Sequence, residues 1–457
     1  MTTRAIPIRG RNMRPHHPRC ETRKRPGADN RSRCIVSPGA YDGSRRCGPR
    51  RCSGQPQEAH PMTETAAVPT AAGSSVSACP VCASPTQLFF TAADLPVHVG
   101  VLWADADSAK RAQKGPVGLA FCRACGLVHN PFFDPLLLDY GQEYDNSLHA
   151  SGVFREFEVA LAERLITRYD LRNASVVEVG SGGGHFLSVV CDRGDNVGTG
   201  FDPSFSTGQL EAESGGRVTI VRDEYSPGAF SGPIDLLCCR QVLEHIPDPM
   251  AFLETLRSGA GPGTIIYLEV PNSRMLLEGL SVWDIVYEHC LYFTDESFRF
   301  AVEAAGFDVI EARDDYEGQL LGLDLRRGDR VPSPPDLGRL GDLVSSFAQQ
   351  YGQRVAAWTD RLEEMFEEGR VIAAWGGGAR AIGFLNMLDV AEGISCVVDL
   401  NERKQGTHIA GTGQPIVAPL YLRELRPDVV IVFNAIYLDE ITAALHEMDL
   451  DPEVLAA

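Results

Sequence analysis

Residues 175–186 read Ser-Val-Val-Glu-Val-Gly-Ser-Gly-Gly-Gly-His-Phe. An apolar run closes on Glu178 and Val179, and Gly180, Gly182 and Gly184 then recur at spacing two before helix-forming sequence resumes. The pattern predicts a buried strand feeding a glycine turn and a helix, because glycine lets the backbone approach a ligand that a Cβ would exclude. A dinucleotide fingerprint requires G-x-G-x-x-G, and here the third glycine comes one residue early. Asp202 closes the next strand-like run, Val197–Phe201, where a carboxylate can grip ribose hydroxyls. A second apolar strand over 233–239 leads into Arg240-Gln-Val-Leu-Glu-His-Ile-Pro-Asp-Pro249, a helix over 249–257, a Gly-Pro-Gly turn and a strand over 264–270. Strands alternating with helices of this length predict parallel βαβ units, with the ligand at the carboxyl ends of the strands.

The run Glu178-x-Gly-x-Gly, followed by Gly-Phe-Asp202, resembles motif I of the class I S-adenosylmethionine (SAM) methyltransferases. The string at 240–249 is similar to the one that follows the fourth strand of that fold. The resemblance implies SAM as cofactor, with Glu178, Gly180, Gly182, Gly184, Asp202 and Arg240 around it; a plain glycine turn and a nucleotide site are the other readings. His245 is expected to be structural or cofactor-side, since the same Leu-Glu-His occurs in methyltransferases with unrelated substrates.

A chain of 457 residues should hold two to four domains. With 44% hydrophobic and 23% charged residues and no apolar run near the ~18 residues of a membrane span, the body is expected to be globular and cytoplasmic, without a membrane partner. The net charge of −19 is uneven: residues 1–61 hold 14 Lys and Arg against 4 Asp and Glu. The strongly acidic remainder argues against non-specific nucleic-acid binding. The basic head lacks hydrophobic periodicity and is expected to be disordered. Met62-Thr-Glu-Thr follows it like a second start, so 1–61 reads as an upstream extension, with a basic nucleic-acid arm as the rival.

Cysteine usage divides the same way. Four of the thirteen lie in the head without metal-like spacing, whereas Cys79-Pro-Val-Cys82 and Cys122-Arg-Ala-Cys125-Gly form two C-x-x-C knuckles. Four thiolates suit a closed structural Zn²⁺ site, although the 39 intervening residues exceed the usual ~15–20 of a zinc ribbon. A pair of redox motifs is the alternative. Cys191, Cys238, Cys239, Cys290 and Cys396 sit mostly in apolar runs and read as core.

Beyond Pro271-Asn272 comes Trp283-Asp-Ile-Val-Tyr-Glu-His-Cys-Leu-Tyr-Phe293. Glu288 beside His289, just past a strand end, places an acid and an imidazole near the crevice, and an imidazole suits proton removal at neutral pH. An aromatic-lined structural loop explains the same residues. A further strand, glycine turn and helix follow at 371–381, with Gly377 and Arg380 where helix amides suit a diphosphate. Asp399-Leu-Asn-Glu-Arg-Lys404-Gln-Gly lies beyond, and the absence of GKS/T excludes a nucleotide-hydrolysing P-loop.

Taken together, the knuckles, the SAM core, the Glu-His-x-x-Tyr-Phe loop and the C-terminal αβ segment resemble the NDP-ketosugar C-methyltransferases from about residue 79 to about 445. The resemblance implies an α/β chain: a class I Rossmann-like core over 151–330, a small zinc domain over 78–150 after an extension at 1–77, and a half-Rossmann substrate domain over 331–457. It further implies His289 as base with Glu288 beside it, Tyr144 and Tyr287 as tyrosines of the site, Gly377, Arg380 and Lys404 toward a nucleotide-sugar, and a monomer. One departure stands out: Val286 occupies the position of a family tyrosine, and Tyr287 follows it. O- or N-methylation on the same scaffold, and a non-catalytic zinc scaffold, are the rival functions.

Overall fold

The computed structural model describes residues 75–457 apart from 93, 139–143, 146 and 206–215. The basic head, its four cysteines and its reading as an upstream extension lie outside the described residues.

Three larger sheets organise the chain. The first opens with β1 (Ser75–Ala78) and β2 (Pro85–Thr91); a two-stranded pair, β3 (Leu95–Pro96) and β4 (Lys114–Gly115), stands apart from it, and β5 (Gly118–Cys122) and β6 (Val128–His129) continue it. Residues 75–77, expected in the extension, belong to this sheet: Ser75 pairs with Gln87 across β1 and β2.

The second sheet contains β7 (Ser175–Val179), β8 (Val197–Phe201), β9 (Val218–Val221), β10 (Leu236–Arg240) and β11 (Ile265–Pro271), all parallel. Then β12 (Leu291–Tyr292) leaves to become the fifth strand of the first sheet, antiparallel to β6. β13 (Phe307–Asp315) and β14 (Leu320–Arg327) form a hairpin whose second strand runs antiparallel to β11. The order β13-β14-β11-β10-β7-β8-β9 is that of the class I SAM methyltransferase fold. All five residues of Leu-Leu-Cys-Cys-Arg in β10 are buried, as expected of a central strand covered by helices on both faces.

The third sheet is wholly parallel, β17-β16-β15-β18-β19, from β15 (Ile372–Trp375), β16 (Cys396–Val398), β17 (Ile416–Val417), β18 (Val429–Val432) and β19 (Glu453–Ala456). The helix Gly338–Glu367 leads into it, seating Phe347 against Phe89 and Phe90 of β2, and Trp358 against Phe384.

One apolar cluster runs from Phe90 and Phe121 through Trp283 and Tyr287 to Phe384 and Ile431, joining the first and third sheets through the loop after β11. Trp283 is fully buried, edge-on to Phe384 at 4.8 Å. The helix Ala379–Met387 approaches this loop so closely that a Cβ on Gly383 would lie 2.5 Å from the Trp283 carbonyl oxygen. Overpacking of this kind costs about 1–3 kcal/mol. Gly383→Ala should therefore lower the midpoint of thermal unfolding, whereas Gly352→Ala, where a Cβ meets nothing within 4 Å, should not.

Candidate active site

The turn after β7 needs glycine. Gly180, Gly182 and Gly184 have φ of +70°, +51° and +73°, the left-handed region that side chains avoid. A Cβ on Gly180 would lie 2.2 Å from Val242, whereas one on Gly182 would meet nothing, so the turn is braced on one side and open on the other. Asp202, at the end of β8, accepts from the Gly182 N–H at 2.7 Å and from Ser204 through its other oxygen. It thus sets the shape of the turn, a role beyond the ribose contact expected of it. The helix His185–Gly194 starts at Gly184 without a side-chain cap, leaving a first turn suited to an anionic or polar ligand.

Beneath the turn lies a buried charge network. Arg240, at the end of β10, donates to Glu158 at 2.8 Å and Glu269 at 3.1 Å, and its guanidinium stacks 4.2 Å over the Phe186 ring. His149 reaches the other oxygen of Glu158 at 2.7 Å and stacks on His185 at 4.2 Å. Glu178 is 3% exposed, and its Oε2 and the Arg240 Nη2 have no hydrogen-bond partner among the described residues. An open glycine cradle above an unsatisfied carboxyl oxygen and an unsatisfied guanidinium nitrogen fits the polar amino-acid end of SAM.

The second cluster surrounds the loop between β11 and β12. Glu288 is 1% exposed; it accepts from the Val99 N–H at 2.7 Å and from the Tyr144 hydroxyl at 2.8 Å, and His98 lies 3.7 Å away. Two ladder-like bonds tie this loop to the segment after β10: Cys290 N–H to the Glu244 carbonyl, and His245 Nδ1 to the Glu288 carbonyl, both 2.9 Å. Because a carbonyl only accepts, His245 carries its proton on Nδ1 and presents a bare Nε2. The His245 and His289 rings meet edge to face at 4.9 Å. Burial, and then the neighbouring His245, pull the His289 pKa well below 6.5, so the imidazole is neutral at physiological pH.

Tyr287 is not in this cluster. It is fully buried, its hydroxyl accepts from the Asp134 N–H at 2.9 Å, and its ring packs on Phe133 and against Gly115. Tyr287 and Glu288 are the two central residues of a turn closed by the His289 N–H on the Val286 carbonyl at 3.3 Å, and they face different neighbours: Glu288 meets Val99 and Tyr144, Tyr287 the core. Val286 is likewise core. His245, expected to be structural or cofactor-side, has its ring beside His289. The sequence signal for it was the segment's place at the end of β10, level with the end of β11.

In the third sheet, the Gly377 N–H is already taken by Asp399 at 2.8 Å. Lys404, 5% exposed, donates to the Gly377 carbonyl at 3.2 Å and lines a small hollow of about 10 Å³ with Asp145, Gly377 and Thr407. Arg380 is committed elsewhere: it forms a two-bond pair with Asp284 at 2.6 and 3.0 Å, fastening the helix Ala379–Met387 to the loop that carries His289. It is therefore a tie between elements rather than a free phosphate ligand.

The four knuckle cysteines converge. Cys79 and Cys125 sulfurs are 3.5 Å apart, Cys82 and Cys122 3.4 Å, and all four lie within 4.8 Å of one another. Zn–S bonds of about 2.3 Å in a tetrahedron put sulfurs about 3.8 Å apart, so this donor set fits zinc. Gly126, at φ +81°, returns its N–H to the Cys122 carbonyl at 2.9 Å, closing the knuckle.

Burial pushes the Glu178 carboxyl up to about 8, with the Arg240 cation pulling the other way. The folded chain then holds a proton that the unfolded chain releases near the ordinary value of 4.5. Its contribution to stability is full below that value and is lost as pH rises through about 8. Glu178→Gln, neutral throughout, should flatten the decline in unfolding midpoint between about pH 5 and pH 8, as measured by thermal melts across that range.

Comparison with known proteins agrees with this geometry. Residues 153–312 match the family model of a methyltransferase domain, and residues 341–451 that of a C-methyltransferase C-terminal domain. Over 110 residues the chain is 29% identical to the ubiquinone biosynthesis O-methyltransferase of Psychrobacter arcticus, covering 22% of this chain and 42% of that one. With the Pseudomonas aeruginosa protein of the same name it shares 30% over 111 residues, 23% of this chain and 47% of that one. The chain thus spans less than half the length of these relatives. Solved structures that resemble it include the magnesium protoporphyrin IX methyltransferase of Synechocystis PCC 6803 (TM-score 0.33, 16% identity, covering 41% of this chain and 91% of that one). Another is the 1,6-didemethyltoxoflavin-N1-methyltransferase of Burkholderia thailandensis (TM-score 0.31, 19% identity, 39% and 82%). The strand order, the glycine turn and the two domain matches give the chain the class I SAM-dependent methyltransferase fold, with a methyltransferase domain and a C-methyltransferase C-terminal domain.

Proposed function

We propose that the chain methylates carbon, at the position next to a ketone, in a nucleotide-linked keto-deoxysugar. The observation that carries this reading is the neutral imidazole of His289, edge to face with His245 and next in the chain to the pinned Glu288, in a chain that also has a C-methyltransferase C-terminal domain. Bound SAM supplies an electrophilic methyl group. A carbon atom becomes a nucleophile toward it only after losing a proton, so a base is required where O-methylation of an acidic hydroxyl needs little help.

In this mechanism His289 takes the proton from the carbon beside the ketone. The electron pair of that C–H bond moves onto the carbonyl oxygen as an enolate and then would form the new carbon–carbon bond as the methyl group's bond to sulfur breaks, its electrons leaving with the neutral thioether. Glu288, pinned by Val99 and Tyr144, fixes the adjoining imidazole. His245 lines the same pocket with its bare Nε2. On the far side, Lys404 and the small hollow at the carboxyl ends of β15 and β16 mark where the anionic nucleotide part docks. A ligand that spans both sheets is required for all of these groups to act on one molecule. The four cysteines hold a structural zinc that clamps the first sheet.

The test is solvent isotope exchange. With a dTDP-4-keto-deoxyhexose in D₂O, the enzyme should catalyse deuterium uptake at the carbon next to the ketone and, with SAM, yield a product heavier by one methylene. His289→Asn should lower both rates on the order of 10²–10⁴-fold. Methyl transfer without exchange would transfer the reading to oxygen or nitrogen. Separately, the purified chain should carry one zinc per molecule by elemental analysis. Cys125→Ser should lose it and melt at lower temperature, because metal affinity in such sites, on the order of 10 kcal/mol, is folding free energy.

A further inference from the structure

Two groups of metal-capable side chains converge among the described residues: the four cysteines, and Glu244, His245 and His289. In the second group the ties to residues 288 and 290 use His245 Nδ1 and the Glu244 backbone, which leaves the Glu244 carboxyl group unexplained. Its ligand atoms lie within 4.8 Å of one another, with His245 Nε2 3.9 Å from the Glu244 carboxylate. Glu244 is 2% exposed, yet its Oε2 has no hydrogen-bond partner among the described residues. An unsatisfied carboxylate oxygen in such a place costs about 1–3 kcal/mol or more, and a cation beside it removes that cost.

The surroundings are those of a metal site. The Nδ1–H of His245 is donated to the Glu288 carbonyl at 2.9 Å, which aims a bare Nε2 at the cluster, the outer hydrogen bond that metal-bound histidines characteristically make. The Glu244 carbonyl takes the Cys290 N–H at 2.9 Å and its Sγ–H at 3.4 Å, so both ligand-bearing segments are fixed to each other. Ligand bonds of about 2.0–2.2 Å need donor atoms about 3.0–3.5 Å apart, a contraction that side-chain rotation supplies. Two half-buried imidazoles and one buried carboxyl group suit Zn²⁺, Co²⁺ or Ni²⁺ rather than the all-oxygen shells of Ca²⁺ and Mg²⁺.

We infer that Glu244, His245 and His289 form a second divalent-metal site, distinct from the cysteine site, whose occupancy blocks proton abstraction. The blocking half of this inference rests on His289 as the base: its nitrogen lone pair binds either the metal or the substrate proton, not both. Excess metal then switches the enzyme off without disturbing its fold.

The test adds Co²⁺ to the full chain with its cysteine site loaded with zinc. The expected result is one bound Co²⁺ beyond the zinc, giving weak visible d–d bands without thiolate charge-transfer absorption. Isotope exchange should stop in parallel and recover with EDTA. Glu244→Gln, near-isosteric, and His245→Gln should each weaken Co²⁺ binding on the order of 10–100-fold or more, as even the loss of an outer-shell partner does. Cobalt that binds nowhere, or only by replacing zinc with the appearance of thiolate bands, overturns the site. Cobalt that binds as expected while exchange continues overturns the blocking. Co²⁺ binding by the wild type together with unimpaired exchange in His289→Asn supports the metal site while removing His289 from the role of base.

Discussion

Everything in this molecule depends on the anchoring of one short loop, residues 283–290, between two strands that belong to different sheets. Trp283 is buried against Phe384, Asp284 grips Arg380, Glu288 accepts from Val99 and Tyr144, and the Glu288 carbonyl and Cys290 N–H bond back to residues 245 and 244. The loop is therefore held from three directions by parts of the chain that are far apart in sequence. An imidazole at the crossing point is positioned by all three at once. This matters because catalytic geometry tolerates errors of well under an ångström or so.

Much of the fold was legible locally. The strand Val197–Phe201 fell where the apolar run placed it, and three glycines at spacing two do adopt the left-handed conformations that a sharp turn demands. The five body cysteines assigned to the core are all buried, and the two knuckles meet despite their long separation. These features are legible because each depends on a residue's own chemistry or on neighbours within a few positions.

What was not legible is long-range. Nothing near Tyr287 announces that its ring faces Gly115 and its hydroxyl serves Asp134; partners more than a hundred positions earlier decide it. Arg380 reads as a phosphate ligand until Asp284, nearly a hundred positions earlier, claims it. The approach of His245 to His289 follows from the parallel register of β10 and β11, with Arg240 level with Glu269. Sequence alone supplies the strands but not which residues their ends bring together.

The pairing of β12 with β6 has a consequence for how the chain is made. The amino-terminal sheet emerges from the ribosome lacking its last strand, and the β6 edge, with its row of unpaired amides and carbonyls, stays bare until the parallel strands of the core have been synthesised. Exposed edges are templates for pairing with other chains. Metal captured by the knuckles during translation would stiffen β5 and β6 in the interval, and the brevity of β6, two residues, limits what a neighbouring nascent chain could hold. A metal held by the four sulfurs would thus bear on the making of the chain before it bears on the finished fold.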